Sequence, residues 1–314
     1  MKILRTLTLA AAAVTLALSA HAAGGQEHAH APEGGWPFEG ALGEFDKDSL
    51  QRGYQVYREV CSTCHSMKLL SYRNLGEAGG PFYDPEYPAA ENPLVKAFAA
   101  EDEILKGVDE VGDDVYGPAT PADRFRSPYA NDNAARAANN GALPPDLSVI
   151  TKARHGGASY VYSLLSGYSD DITPEGTLSF PLAKAAGHGN DHGEDSADGH
   201  HELHGVLTQP LGQYYNPYMQ GDTSTQWDGD PRHTPPGGFL AMAPQLPDGR
   251  VEYIDGTPAT TKQMAADVAQ FLAWAGEPKQ ANRKSAGFKV IAFLSVFALL
   301  LWFSYHQIWR GVEH

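Results

Sequence analysis

Apolar residues are continuous near both ends of this chain and periodic between them. Leu7–Leu18 is an apolar run behind Lys2 and Arg5, and Ala20-His21-Ala22 follows it. A basic start, a short apolar stretch and an A-x-A site predict a signal peptide over 1–22. A retained membrane helix is the competing reading; it fits less well, because the run is short and a cleavage site follows. Toward the other end, Val290–Phe303 contains a single polar residue, Ser295. Phe288–Trp309 has the length of about 20 residues that a membrane span requires. Lys289 can snorkel at one end, and Trp302, Tyr305 and Trp309 suit a headgroup belt at the other. The pattern predicts an anchor over 285–309; a buried core helix fits poorly where no charged face exists.

Between the ends, two segments carry a helical stripe. Leu50, Tyr54, Tyr57 and Cys61 recur at i, i+4, i+7 and i+11, and Gly53 lies on the edge of that face. A mid-helix glycine is costly, so it predicts the close approach of another helix. The second stripe is Met264, Val268, Phe271, Leu272 and Ala275. Thr260 and Gln263 read as its capping box, and it runs to about Gly276, with Pro278 as a stop. A crossing of these helices at Gly53 would close a core; two unrelated amphipathic helices are equally compatible with the pattern alone.

Composition adds a constraint. The 314 residues, 42% hydrophobic and 19% charged, suit a folded protein, and the formal net charge is −15. Such acidity disfavours nucleic acid, whose phosphates it repels, and suits a basic protein partner. With the signal peptide, the domain over 23–284 is expected outside the cytoplasm and the tail 310–314 inside. Arg283, Lys284 and Lys289 on the outer side, against Arg310 inside, run contrary to the positive-inside pattern. The signal peptide decides, because long translocated domains weaken that rule.

The chain has two cysteines, and both lie in CSTCH at 61–65. C-x-x-C-H is the c-type haem attachment signature: two thiols add across the vinyl groups and the next residue, His65, reaches the iron. A disulfide, a thioredoxin-like pair and a zinc site are the rivals. Nothing upstream of the pair reads as the strand a thioredoxin-like site needs, and a zinc site needs two further ligands. For the sixth iron ligand the candidates are Met67, Met219, Met242, Met264 and histidines such as His155. Met67 is too close to His65 to reach the opposite face, and Met264 belongs to the helix stripe. Met219 follows YYNPY. Met242 sits in GGFLAMAPQLPDG, an extended segment able to lay a thioether on a flat ring, and is favoured.

Longer runs now enter: RGYQVYREVCSTCHSM (52–67), AARAANNGALPPDLS (134–148), KARHGGASYVYSLLSGY (152–168), LGQYYNPY (211–218), AMAP (241–244), YIDGTPAT (253–260) and FLAWAGEP (271–278). In these runs, their order and the terminal anchor, the chain resembles the cytochrome c1 family of cytochrome bc1 complexes. The resemblance covers roughly 36–180 and 205–309. It implies a mainly α fold, a class I cytochrome c-like haem domain with long loop insertions plus one transmembrane helix. It implies one haem c on Cys61 and Cys64, with His65 and Met242 as axial ligands, Arg154 beside a propionate, and Tyr160, Asn139 and Pro145 around the haem. Ordinary turn or core roles for those last three are the alternative.

The same resemblance implies a function and a setting. Single electrons pass from a Rieske iron–sulfur protein to a cytochrome c acceptor, while quinol oxidation belongs to the cytochrome b subunit. No bond is made at this haem. The implied assembly is a dimeric multi-subunit complex in the cell inner membrane, with the haem domain on the periplasmic side. Two other classes stay in play: an anchored c-type carrier of another respiratory chain, and a haem enzyme. A multi-haem enzyme would need another C-x-x-C-H. The acidic run Glu101–Asp114 either presents charge to a basic cytochrome or is a solvated loop. HGNDHGEDSADGHHELHG (188–205) departs from the family pattern; its composition predicts a disordered insertion over about 185–205, with metal buffering as the weaker reading.

Overall fold

Asp46 opens the first helix, its Oδ1 accepting the Ser49 N–H at 2.8 Å. Helix α1, Lys47–Glu59, buries Leu50, Gly53, Tyr54, Val56 and Tyr57. The expected stripe is therefore present, but the α-helix stops at Glu59 and Cys61 begins a 3₁₀ turn, Cys61–Thr63. The computed structural model describes residues 26–168, 177–181 and 204–311. The expected signal peptide and most of the histidine-rich stretch lie outside the described residues.

After α1 come α2 (Pro93–Ala100), α3 (Asp132–Ala138), α4 (Ile150–Ala153), α5 (Gly157–Ser166), α6 (Thr261–Gly276) and α7 (Gln280–Ile308). Six short strands make three antiparallel pairs: β1 (Glu103–Val108) with β2 (Asp114–Pro118), β3 (Thr177–Pro181) with β4 (His204–Thr208), and β5 (Tyr214–Asn216) with β6 (Gly238–Leu240). The described residues fall into two compact units. One holds 29–166 and 245–311, with the seven α-helices found among the described residues and the β1–β2 hairpin. The other holds 26–28 and the described part of 167–244. In the second, Leu207 and Tyr215 are buried with Trp227 and Phe239 against them. Tyr215 meets Phe239 edge-on at 6.1 Å across the β5–β6 pair.

In the larger unit, α1 crosses α6 where the sequence placed its glycine. A Cβ built on Gly53 would lie 2.1 Å from the Asp267 carbonyl oxygen and 2.7 Å from the Phe271 Cβ, so only hydrogen fits. Aromatic rings fill the flanks: Phe271 lies 5.7 Å from Tyr54, 5.8 Å from Tyr57 and 5.5 Å from Trp274. Beside the crossing, the Arg52 guanidinium donates to both oxygens of Asp267, at 2.9 and 3.1 Å, and to Asp255 at 2.8 Å. Asp267 is 1% exposed, and this fork together with the Gln263 amide at 3.0 Å supplies its hydrogen bonds in place of water. That last bond revises the expected capping box. Thr260 does accept the Gln263 N–H, but the Gln263 side chain reaches Asp267 and does not fold back on the helix start.

Helix α7 is longer than the expected anchor and none of its residues is buried. It is, with the following turn to Gly311, the one described helix long and apolar enough to cross a membrane.

Gly53→Ala is expected to cost about 3 kcal/mol, the upper part of the range for overpacking, because the obstacle is backbone and cannot rotate away. Thermal unfolding of the haem-loaded chain measures it. An unchanged midpoint would mean that the two helices separate without loss.

Candidate functional site

The end of α1 builds a tight knuckle. Val60 N–H bonds back to Val56, after which Cys64 N–H and His65 N–H both donate to the Cys61 carbonyl, at 3.1 and 2.9 Å. The hydroxyls of Ser62 and Thr63 donate to the Arg58 and Val60 carbonyls, at 2.6 and 2.7 Å, satisfying acceptors that the helix end leaves open. The two variable residues of the motif thus fasten the turn, and the cysteines are left as free thiols, both half-buried. Cys61 packs against the core, where burial, with Cys64 beside it, pushes its thiol up to about 12. A cavity of about 410 Å³ borders the same turn, with Tyr57, Ser62, Thr63 and Phe125 in its wall.

His65 is held by its ring. Its Nδ1 lies 2.8 Å from the Pro145 carbonyl oxygen. A carbonyl only accepts, so Nδ1 carries the proton and Nε2 presents a lone pair. Burial also lowers the His65 pKa, against the opposing pull of the Pro145 carbonyl and Asp146, which favours the neutral ring a metal needs.

The Pro145 carbonyl is itself fixed by a knot that the sequence did not single out. Asp146 Oδ2 accepts the Ser66 hydroxyl and the Lys68 N–H, each at 2.8 Å, and its Oδ1 accepts the Ser148 N–H at 2.9 Å. Leu147 N–H donates to the Ser66 carbonyl at 2.8 Å, and Leu69 N–H to the Ser148 hydroxyl at 3.0 Å. Four bonds therefore lace 146–148 to 66–69, immediately beside His65 and Pro145. Burial opposes ionisation of Asp146, but the Lys68, Ser148 and Ser66 donors outweigh it and hold the carboxyl below its ordinary range.

The remaining expected residues are spread over both units. Arg154 caps the C-terminus of α4, is exposed, and pairs with no carboxylate among the described residues. Tyr160 lies on α5, partly buried against the core. Asn139 ends α3; its amide donates to the Ala135 carbonyl at 2.7 Å and to the Tyr129 hydroxyl at 3.0 Å, so its side chain shapes the loop that leads to Pro145. Met67 and Met264 are fully buried, as expected of core residues. Met242 belongs to the other unit, half-buried just after β6, and its carbonyl accepts the Tyr168 hydroxyl at 2.8 Å. Met219, half-buried, lies in that unit too.

This donor set fits a haem held by two thioethers and an imidazole: paired free thiols, a neutral ring with Nε2 open, and a guanidinium with no carboxylate partner among the described residues, suited to a propionate. Among the described residues no three His, Cys, Asp or Glu side chains gather as an all-protein metal site.

Comparison with known proteins agrees. A family model described as the Cytochrome C1 family matches residues 36–312. The chain is 39% identical over 306 residues to a cytochrome c1 of Rhodospirillum rubrum, covering 98% of this chain and 97% of that one. It is 39% identical over 298 residues to the mitochondrial cytochrome c1 heme protein of Saccharomyces cerevisiae, covering 94% and 78%. It is 38% identical over 328 residues to a cytochrome b/c1 of Bradyrhizobium diazoefficiens, covering 96% of this chain and 40% of that longer protein.

The depressed Asp146 carboxyl has a pH consequence. A folded pKa below the unfolded value of about 3.9 gives stability that is full above that value and is lost as pH falls through the folded one. Asp146→Asn should therefore lower the unfolding midpoint at pH 7 and narrow the difference from wild type as pH drops below about 4. Acid titration followed by circular dichroism checks this; parallel curves for the two proteins would exclude the knot as an acid-labile element.

Proposed function

The chain belongs to the cytochrome c1 family, and from that premise we propose how its residues hold the cofactor and which proteins it serves. It is a single-pass, membrane-anchored electron carrier of the cytochrome bc1 complex with one covalently bound haem c. When bound, the haem supplies one-electron redox chemistry at its iron. Cys61 and Cys64 would hold it through thioethers, and His65 Nε2 and the Met242 sulfur would be the donors to its iron. Arg154 would pair with a propionate, and Asn139 and Tyr160 would complete the surroundings. The His65–Pro145 bond carries this reading, because it sets the tautomer and the direction of the proximal donor. A thioether as sixth ligand leaves no open position for a substrate, which favours a relay over an enzyme.

The partners follow from the assembly. The reading has a Rieske iron–sulfur protein as electron donor, a cytochrome c as acceptor and cytochrome b as the quinol-oxidising neighbour, in a dimeric complex. The haem domain, 23–284, faces the periplasm of a cell inner membrane once the signal peptide is removed, and the tail after Trp309 is cytoplasmic. A carrier for another respiratory chain would purify without a b-type cytochrome and an iron–sulfur protein, so co-purification tests the assignment.

The acidic run, for which the sequence left a charge-presenting surface and a solvated loop both open, forms a hairpin. β1 and β2 pair with a bulge between Leu105 and Gly107, and the Asp109 carboxylate accepts the Val111 and Asp113 N–H groups at 2.9 Å to shape the turn. Glu110, Asp113 and Asp114 are exposed around it, together with Val108, Val111 and Tyr116. Acidic charge mixed with apolar side chains suits a basic cytochrome with an apolar rim.

Two outcomes are expected. Met242→Leu should keep the packing to within about 1.5 kcal/mol. It should lower the haem potential by on the order of 100 mV, within the roughly 0.8 V that axial ligands span, and admit carbon monoxide to the reduced iron. An unchanged potential with no carbon monoxide binding would move the assignment to Met219. Replacing Glu110, Asp113 and Asp114 by Gln or Asn spares the turn-forming Asp109. It should flatten the fall of the acceptor's on-rate as salt shortens the Debye length from about 10 Å at 0.1 M to about 3 Å at 1 M. Equal salt slopes in stopped-flow reduction would place docking on another surface.

A further inference from the structure

The junction between α6 and α7 carries more bonding than a simple linker needs. Only Glu277, Pro278 and Lys279 separate the two helices. Glu277 closes α6, its N–H donating to the Ala273 and Trp274 carbonyls at 3.2 and 3.0 Å. Its carboxylate then meets two cations from different places: Lys152 Nζ, on α4, at 2.7 Å, and the Arg283 guanidinium, on the first turn of α7. Burial works against the charge, yet these two donors hold the Glu277 carboxyl below its ordinary range.

One residue further along, Lys284 makes a second attachment. Its ammonium donates to the Phe38 carbonyl at 2.7 Å and to the Gly43 carbonyl at 2.8 Å. Those carbonyls belong to a stiff loop. Trp36 Nε1 donates to the Ser159 hydroxyl on α5 at 2.9 Å, and Phe38 stacks on Phe45 at 4.8 Å. Gly43 approaches the Glu39 carbonyl so closely that a Cβ would sit 1.8 Å from its oxygen. The loop is therefore a rigid acceptor pair, and a cation with several N–H donors can serve both.

Isolated exposed ion pairs hold little. Here four charged side chains, Lys152, Glu277, Arg283 and Lys284, fasten one helical turn to two separate parts of the haem domain, about one turn before the apolar run begins at Phe288. Helix α4 links this junction to the site, since Lys152 sits on it and Arg154 caps it; Thr151 further ties it to the Leu272 carbonyl of α6 at 3.3 Å.

We propose that Glu277 and Lys284 form a two-point clamp that sets the angle of the haem domain to the membrane helix, so that the haem keeps one orientation relative to the membrane plane. The inference rests on the haem reading given above. Both are positioning residues: they touch neither the cofactor nor its ligands. A domain swivelling on three linker residues would present its haem to a membrane-bound donor at many angles, whereas a clamped one presents a single geometry.

The test uses the full haem-loaded chain in oriented lipid multilayers and reads the angle dependence of the oxidised haem's electron paramagnetic resonance. Wild type should show a strong angular variation. Glu277→Gln with Lys284→Met should lose at least half of that amplitude, with haem content, optical spectrum and potential unchanged, and Lys284→Arg alone should retain most of it. If the double variant assembles poorly, Glu277→Gln alone supplies the comparison and should show a smaller loss in the same direction. Equal angular variation in wild type and variant would overturn the clamp. Absence of covalent haem in the wild-type chain on a denaturing gel would overturn the haem reading itself, so the two failures are distinguishable.

Discussion

The contact between Gly53 and the Asp267 backbone sets the geometry of the larger unit. Helices α1 and α6 approach until no side chain fits between them, and this closeness brings Phe271 onto Tyr54 and Tyr57. It also buries Asp267, which in turn requires the Arg52 fork. Burying a carboxylate costs far more than an exposed ion pair returns, so the polar network is a consequence of the crossing and not its cause. The attachment turn is the direct continuation of α1. Its position is thereby fixed by a glycine eight residues upstream of the first cysteine.

The features legible in the sequence are those with a local period or a local motif. Helices α1 and α6 and the membrane helix follow from stripes of apolar residues. The attachment site follows from CSTCH, because covalent chemistry demands that spacing. Other features had no local signature. Asp146 reads as one more turn residue in PPDLS until residues 66–69 are placed beside it. Gln263 occupies the third position of a capping box, but a buried carboxylate one turn away outcompetes the helix start for its amide. The acidic run became a hairpin because Ile104, Val108, Val115 and Tyr116 lend it strand propensity beneath the charges. The carbonyl hook for Lys284 could not be read at all, since backbone acceptors leave no trace in composition.

The proposed donors stand on different local structures. Cys61, Cys64 and His65 lie on a helix–turn element held by hydrogen bonds of its own unit. Met242 lies on the segment after β6, with its backbone tied to Tyr168. A turn fastened by the protein's own bonds keeps its imidazole oriented whether or not a cofactor is bound.

The order of synthesis gives the Arg52–Asp267 pairing a further meaning. These residues are 215 positions apart, and the carbonyl that orients His65 is 80 positions from it. Closing loops of such length is entropically expensive and slow, so domains dominated by them fold late. As the chain grows, CSTCH is complete long before α6 exists to pack against α1. For that interval the cysteines belong to an open peptide, accessible to whatever joins them to the porphyrin. Once α6 docks, the same thiols lie half-buried in a fastened turn. The topology thus leaves the two thiols in open chain until the long-range contacts close.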